Sequence, residues 1–506
     1  MTLALTSSVA LLGLEGHLVT VEVDIADGLP GYSLLGLPDA ALTESRERVR
    51  SAIVNCGEVW PNRKVTVSLS PAWLPKSGSS FDLAICIALL SAHESIAKEK
   101  IEELLFLGEL ALDGRIRSVR GVLPALMAAY KAGVRTAVVP EANFEEAQLM
   151  QAMTIIPMQH LKQVLRWLRT GEREVVQEID LQWEQTDTRL DFADVAGQSA
   201  ARLAAEIAAI GGHHILLIGP PGAGKTMIAE RIPTIMPALT IDQALEVTAV
   251  HSIAGTLTQR SPLSLLAPMV SPHHTTTRIA MVGGGSHVIK PGACSLAHYG
   301  VLFVDEAPEC GPGVLDALRQ PLESGTITIA RSVGNLTFPA QFLLVLAANP
   351  CPCGKFTGRG HNCTCTSQQV RRYLGKLSGP LMDRIDLRVQ VDPVGRVDMA
   401  RDELGESSSV IRSRVMGARE VAIKRFAGMG WSLNSQIPAR ALRSTFQPER
   451  SAMNFLHEEL DREHITARGL HKIIRTAWSF ADLHGNPTPT LENVMAAHTM
   501  RGKVEA

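Results

Sequence analysis

His214-Ile215-Leu216-Leu217-Ile218-Gly219-Pro220-Pro221-Gly222-Ala223-Gly224-Lys225-Thr226 is the stretch from which the fold is read. Its first half is a short unbroken apolar run, the pattern of a strand buried on both faces. Its second half fits G-x-x-x-x-G-K-[ST] directly ahead of a helix-compatible run, Met227 to Arg231. Glycines let such a loop curl until its backbone N–H groups and the following helix N-terminus aim at phosphate oxygens. Lys225 then neutralises β/γ charge, and the Thr226 hydroxyl is suited to Mg²⁺. Gly219, Pro220, Pro221, Gly222, Ala223, Gly224, Lys225 and Thr226 are therefore read as an ATP cradle.

Downstream, Val301-Leu302-Phe303-Val304 is a second apolar strand, closed by Asp305 and Glu306. An acidic pair at a strand end can place Asp305 on the magnesium shell and Glu306 beside the attacking water, to orient or deprotonate it. A third apolar run, FLLVLAANP, ends at Pro350. Its Asn349 is placed to align the same water. Arg384, in Leu381-Met382-Asp383-Arg384-Ile385-Asp386, and Arg468, at the start of an amphipathic helix, are the guanidiniums available to stabilise transferred-phosphoryl charge. One would come from a neighbouring subunit and the other from a lid. Apolar strands spaced by helical segments imply a parallel sheet covered on both faces.

The rest of the chain frames this core. Residues 1–170 mix strand alternations (Val19 to Ile25, Lys64 to Leu69, the run ending at Pro140) with apolar helices (Leu83 to Ala92, Leu123 to Lys131), giving an α+β domain. Residues 171–190 are polar and mostly acidic, as in a linker. Residues 191–396 hold the nucleotide core. Residues 397–506 are helical, with Leu470, Ile473, Ile474, Ala477 and Ala481 on one helix face and Thr490 as a cap for the last helix.

Composition narrows the function classes. The chain has 506 residues, 45% of them apolar and 20% charged, which excludes a disordered, collagen-like or coiled-coil protein. Only 4% are aromatic and the net charge is −2, so stacking is not the main binding device and any nucleic-acid surface is a local patch. No stretch has the apolar length of a membrane helix, and the N-terminus lacks the basic start of a secretory signal, so a cytoplasmic location without membrane contact is expected. There, cysteines serve as thiols or metal ligands. Cys351, Cys353, Cys363 and Cys365 form C-x-C, nine residues, C-x-C, enough thiolates for a closed structural Zn²⁺ shell, with His361 as a substitute ligand. Cys56, Cys86, Cys294 and Cys310 are isolated and read as ordinary thiols.

Several longer blocks resemble the magnesium-chelatase-like AAA+ ATPases, most closely the ComM group of bacterial competence proteins. They are GPPGAGKT, SPHHTTTRIAMVGGG at Ser271 to Gly285, SLAHYGVLFVDEAPE at Ser295 to Glu309, LRQPLESG at Leu318 to Gly325, LSGPLMDRIDL at Leu377 to Leu387 and TARGLHKIIRTAWSFADL at Thr466 to Leu483. The resemblance implies Asn349 as sensor 1, Arg384 as an arginine finger used in trans and Arg468 as the sensor 2 arginine. It also implies a homo-oligomeric AAA+ ring of hexameric size. An insertion around Ser271 to Pro291 and a hairpin at Thr326 to Pro339, turning at Val333-Gly334-Asn335, would face the pore, making Arg278, Lys290 and Arg331 candidate DNA contacts.

Residues 1–170 resemble the Lon-protease (ribosomal S5-type) domain through Pro75-Lys76-Ser77-Gly78-Ser79-Ser80, an apolar helix and GELALDGRIRSVRGVLPALMAAYKAGVRTAVVP. Ser80 falls near the serine position, but Leu123 takes the place of the lysine base, which implies a scaffold without proteolysis; Lys131, one or two turns later, is the one residue that leaves a base open. The function implied is an ATP-driven ring motor on single-stranded or branched DNA, moving branch points and integrating incoming DNA in natural transformation beside recombination proteins. The alternatives are a chelatase-type remodeller of a protein partner and an ATP-dependent Lon-type protease.

Overall fold

The computed structural model describes residues 2–172, 190–257, 263–285, 289–311, 313–331, 334–356, 363–393 and 405–502. Most of the expected linker, the start of the C-terminal region and His361 lie outside them.

Among the described residues, the N-terminal region folds around a seven-stranded sheet in the order Gly31–Leu35, Lys64–Ser70, Glu15–Ala26, Thr2–Leu12, Leu104–Phe106, Thr136–Pro140, Thr154–Met158. The long strands Thr2–Leu12 and Glu15–Ala26 pair antiparallel along their whole length, from Thr2↔Ile25 to Leu12↔Glu15. Alternation decides the register: Val19, Val21 and Val23 are fully buried on one face, and a slip of one residue would turn all three to the other side. The helix Asp82–Ala92 is buried all round, so it carries no amphipathic stripe and fills the centre of this core.

The second sheet, five-stranded and parallel, runs Met269–Val270, Val301–Val304, Leu343–Ala348, Ile215–Ile218, Leu387–Gln390. Every residue of its three central strands is buried. Both faces are covered. Ile215, Leu217, Phe303 and Val345 pack with the helices Ser199–Gly211, Lys225–Ile235, Ser408–Arg425 and Ala467–His484. Leu216, Leu302, Leu344 and Leu346 face Ala293, Cys294, Leu318, Leu381 and Ile385. Parallel strands with their order interleaved bring the ends of Ile215–Ile218, Val301–Val304 and Leu343–Ala348 out on one edge, where such sheets bind ligands. This is the parallel-sheet core expected from the sequence.

The helix Ala467–His484 starts where Thr466 Oγ1 accepts from Gly469 N (3.0 Å) and stops at Gly485, whose φ of 72° a glycine tolerates. Its buried face includes Leu470, Ile473, Ile474, Ala477 and Ala481, as the periodicity required. Thr490 caps Leu491–Thr499. A buried carboxylate ties this helix to its neighbours: Arg425 donates to both oxygens of Asp482 (2.6 and 2.7 Å), and Asn434 Nδ2 adds a third bond at 2.8 Å.

Two adjacent histidines lie under the sheet. His213 Nε2 bonds Ser479 Oγ at 2.7 Å, and His214 Nδ1 accepts from Leu344 N at 3.1 Å. Burial pushes both down to about 4, against an ordinary value of 6.5. A depressed histidine pKa means that the unfolded chain binds the extra proton first. Stability is therefore full above 6.5 and is lost as pH falls towards 4, by roughly 3 kcal/mol per histidine. Unfolding midpoints measured across that window should fall steeply, and less so for His213→Gln.

The N-terminal region meets the nucleotide core through a buried carboxylate, Glu146, which accepts from Leu123 N at 2.8 Å and from the hydroxyl of Ser252 on the helix Ile241–Ala254. Leu149 packs beside it against the cluster of Leu239, Ala244, Val247 and Leu263. The hairpin pairs Thr326–Arg331 with Gly334–Pro339 in the register Arg331↔Gly334. Gly334 and Asn335, expected in the turn, belong instead to the returning strand, and Val333 lies outside the described residues. A Gly-Asn pair is a turn signal, but here the antiparallel ladder continues through both residues.

Candidate nucleotide site and its surroundings

Gly222 and Gly224 have φ of 78° and 93°, values that any other residue adopts only under strain, and a Cβ on Gly219 would stand 2.1 Å from Val391 O. The loop after Ile218 needs glycine at all three places. It feeds the helix Lys225–Ile235, whose N-terminus carries no side-chain cap, so the first-turn N–H groups have no competing side-chain acceptor.

Lys225 is 7% exposed. Its Nζ donates to Gly219 O (2.7 Å), Pro220 O (3.0 Å) and Asn349 Oδ1 (3.2 Å), so the lysine is folded back over the loop and touches the asparagine that follows the strand Leu343–Ala348. Burial lowers its pKa, opposed by the charges of Asp305 and Glu306. Thr226 Oγ1 donates to Asp305 Oδ2 at 2.8 Å. A hydroxyl and a carboxylate oxygen side by side are hard donors that fit Mg²⁺. Asp305 Oδ1 accepts from Glu306 N at 2.8 Å, and Glu306 sits at φ 48°, ψ 41°, a left-handed conformation uncommon for a side-chain-bearing residue. Thus five sequence-predicted residues, Lys225, Thr226, Asp305, Glu306 and Asn349, meet at one sheet edge.

One partner was not anticipated. His274 Nδ1 lies 3.1 Å from Glu306 Oε2, and its ring stacks on His273 with centroids 4.1 Å apart. The histidine belongs to the segment directly after the strand Met269–Val270, which is the sheet neighbour of Val301–Val304. Only the strand order reveals that closeness; the two residues are far apart in the chain.

Arg384 and Arg468 are not part of this cluster. Arg384 donates to Pro380 O and to Glu323, and Arg468 lies 3.8 Å from Glu323 and 3.7 Å from Asp383. Their side-chain partners are one another's neighbours, with no residue of the phosphate loop among them. The two arginines meet instead around the carboxylates of Glu323 and Asp383.

The four cysteines converge as their spacing required. Sulfur separations are 3.3 Å (Cys351–Cys353), 3.6 Å (Cys351–Cys363) and 3.6 Å (Cys353–Cys363), and the four Sγ atoms, Cys365 included, lie within 4.8 Å of one another. Four ligands at ~2.3 Å around a tetrahedral ion stand about 3.8 Å apart, so the set fits Zn²⁺. Backbone N–H groups of Lys355 and Thr364 help pull the Cys353 thiol down to about 5. Gly354 packs on the phosphate loop: a Cβ there would meet Pro221 Cδ at 2.6 Å. The cluster thus rests on the nucleotide loop.

Arg278 begins the helix Arg278–Val282, and Lys290 begins the short strand Lys290–Pro291. Both are exposed and neither makes an ion pair among the described residues. Arg331 ends the first strand of the hairpin.

Ser80 lines a cleft of about 820 Å³ with Ser79, Asp39, Glu109 and Arg120, walled on the far side by Ile253, Ile289, Asn335 and Leu336. Lys76 also lines it, but is 1% exposed and spends its ammonium on Leu69 O (2.8 Å) and Pro71 O. Leu123 is fully buried, and Lys131 is exposed at the helix end, outside the cleft. Among the described residues no lysine is poised to deprotonate Ser80.

Comparison with known proteins gives three family matches: "Magnesium chelatase, subunit ChlI" over residues 191–399, "Subunit ChlI of Mg-chelatase" over 21–143, and "Magnesium chelatase, subunit ChlI C-terminal" over 405–501. An uncharacterized protein of Mycobacterium tuberculosis is 48% identical over 501 residues, covering 99% of both chains. The competence protein ComM of Haemophilus influenzae is 39% identical over 496 residues, covering 96% of this chain and 94% of its own. Lon protease 1 of Myxococcus xanthus is 26% identical over 174 residues, 32% of this chain and 21% of the protease, so the Lon likeness is partial.

Proposed function

The chain belongs to the magnesium-chelatase ChlI family as a ComM-type AAA+ protein, and from that premise we propose that it is an ATP-hydrolysing ring motor that acts on DNA and moves branch points in recombination intermediates. The observation that carries the ATPase half is the meeting of Lys225, Thr226, Asp305, Glu306 and Asn349 at one sheet edge. The phosphate loop and the helix start hold the triphosphate, and Lys225 swings from the loop carbonyls to the terminal phosphate. Thr226 and Asp305 would hold Mg²⁺, which would supply charge neutralisation to the triphosphate. Glu306, once released from His274, takes the proton of the attacking water, which Asn349 aligns.

The second half of the catalytic set comes from elsewhere. Arg384 and Arg468 share Glu323 away from the phosphate loop, so in this reading the lid position expected for Arg468 gives way to a joint one: a neighbouring subunit brings both arginines to the γ-phosphate, and the assembly is a ring of hexameric size. Lys472 Nζ donates to Arg384 O (3.1 Å) and pairs with the fully buried Asp386 (2.8 Å), which ties the finger loop to the helix that carries Arg468.

The DNA half rests on near full-length likeness to ComM and on Arg278 and Lys290, exposed cations without ion-pair partners among the described residues, next to the hairpin. The test is ATPase and unwinding on forked and four-way DNA. Stimulation by branched or single-stranded DNA, with binding that weakens steeply as salt rises, is expected; an ATPase indifferent to DNA at every salt concentration would remove this half. Replacing Arg278 and Lys290 together by alanine should reduce the salt slope by about 2 while leaving DNA-free turnover alone.

The cysteine cluster is proposed as a structural Zn²⁺ site that stiffens the phosphate loop through Pro221. Purified protein is expected to hold one zinc per chain. Cys353→Ser should lose the metal and weaken ATP binding, because the loop that carries Gly222 would no longer be backed. Zinc content at background in protein that binds ATP normally would contradict the assignment.

A further inference from the structure

Arg384 and Arg468 share one carboxylate. Arg384 Nη2 donates to Glu323 Oε1, and Arg468 approaches the same oxygen at 3.8 Å while its other terminal nitrogen lies 3.7 Å from Asp383. The two sides of this contact differ in how firmly they are held. Arg384 is anchored: its side chain is 12% exposed, Nη1 donates to Pro380 O at 2.5 Å, and its backbone carbonyl is gripped by Lys472. Its buried Nε nevertheless has no acceptor, a vacancy that disfavours the present arrangement and leaves the guanidinium ready for another anionic oxygen. Glu323 is the loose partner, its side chain 55% exposed, so it can pass into water at little cost.

Glu323 also has a mechanical connection. It lies in the short helix Pro321–Ser324, which runs through Gly325 (φ 68°) into the hairpin strand Thr326–Arg331. Ser324 Oγ joins the two, its one proton lying within reach of both Gln320 O (3.0 Å) and Thr326 O (2.8 Å). Movement of the carboxylate is therefore movement at the root of the hairpin.

We propose that Glu323 is a positioning residue that holds the place of the neighbouring subunit's terminal phosphate. In the free subunit its carboxylate gathers Arg384 and Arg468 into one fork. A phosphate with three oxygens is a better partner for two guanidiniums than a single exposed carboxylate, so its arrival displaces Glu323 and lets the hairpin root move. The inference rests on the reading of Arg384 as a finger used in trans, and adds to it the link between nucleotide state and hairpin.

The test uses full-length Glu323→Gln, nearly isosteric, with Glu323→Asp as the conservative variant and Arg384→Ala as the control on the underlying reading. Removing the competing charge should lower the KM for ATP about fivefold, with kcat retained. It should also cut the DNA unwound per ATP hydrolysed, and Glu323→Asp should restore both towards wild type. A Glu323→Gln chain whose KM is unchanged or raised overturns the proposal, as does a lowered KM with normal unwinding per ATP, since the hairpin link would then be absent. If Arg384→Ala hydrolyses ATP at the wild-type rate, the finger reading itself fails, whatever Glu323 does.

Discussion

Glu306→Gln is expected to bind ATP as the wild type does and to hydrolyse it about 10²- to 10⁴-fold more slowly, the range that removal of a positioned general base costs. The substitution keeps shape and removes only the ability to take a proton. Thr226 with Asp305, and Lys225 with Asn349, hold one another without help from the Glu306 side chain, so the binding half of the site stays in place. The backbone at Glu306 is left-handed, a conformation glutamine tolerates as well as glutamate does. Single-turnover hydrolysis measured beside equilibrium ATP binding separates the two effects. Loss of binding in step with loss of turnover would mean that Glu306 has a structural part, and normal turnover would move the proton acceptor elsewhere.

Arg384→Ala should cost more, on the order of 10³-fold or greater, because an arginine finger stabilises charge that develops only in the transition state. ATP binding should weaken by no more than a few-fold, the share that the neighbour's guanidinium adds to the bound phosphate, since Arg384 touches no residue of its own subunit's loop. The effect therefore belongs to kcat. Part of any stability change would come from Glu323 and Pro380 losing their partner. Those contacts are partly exposed and worth about 1 kcal/mol or less, too little to unfold a chain of this size. A large fall in unfolding temperature would show that the lost turnover reflects folding and not chemistry.

The order in which these residues could be read follows from how local each signal is. The phosphate loop was legible because its requirements are written in consecutive residues: four buried apolar positions, glycines where φ is positive or a backbone crowds in, then Lys225 and Thr226. The cysteine set was legible for the same reason, its ligands falling in two tight pairs. What the cysteines pack against was not, since Pro221 lies far from Gly354 in the chain and meets it only through the sheet. His274 carried no signal that linked it to Glu306. Their contact depends on Met269–Val270 taking the place beside Val301–Val304, which periodicity does not encode. Glu323 was visible only as part of a family block, and its two arginine partners come from the core and the C-terminal helix. That Lys76 lines the cleft beside Ser80 was not legible either, because it depends on how the backbone folds, and the same fold spends its ammonium on the carbonyls of Leu69 and Pro71.

A subunit with an intact loop and no finger should be rescued by a neighbour with a finger and no working loop. Mixing Arg384→Ala chains with Lys225→Ala chains, each inactive alone, tests this most directly. The account predicts that ATPase reappears on mixing, to a fraction of the wild-type rate set by how often the two kinds of chain sit in the productive order. No recovery at any ratio, in mixtures shown by labelled subunits to co-assemble, would contradict hydrolysis at a shared boundary.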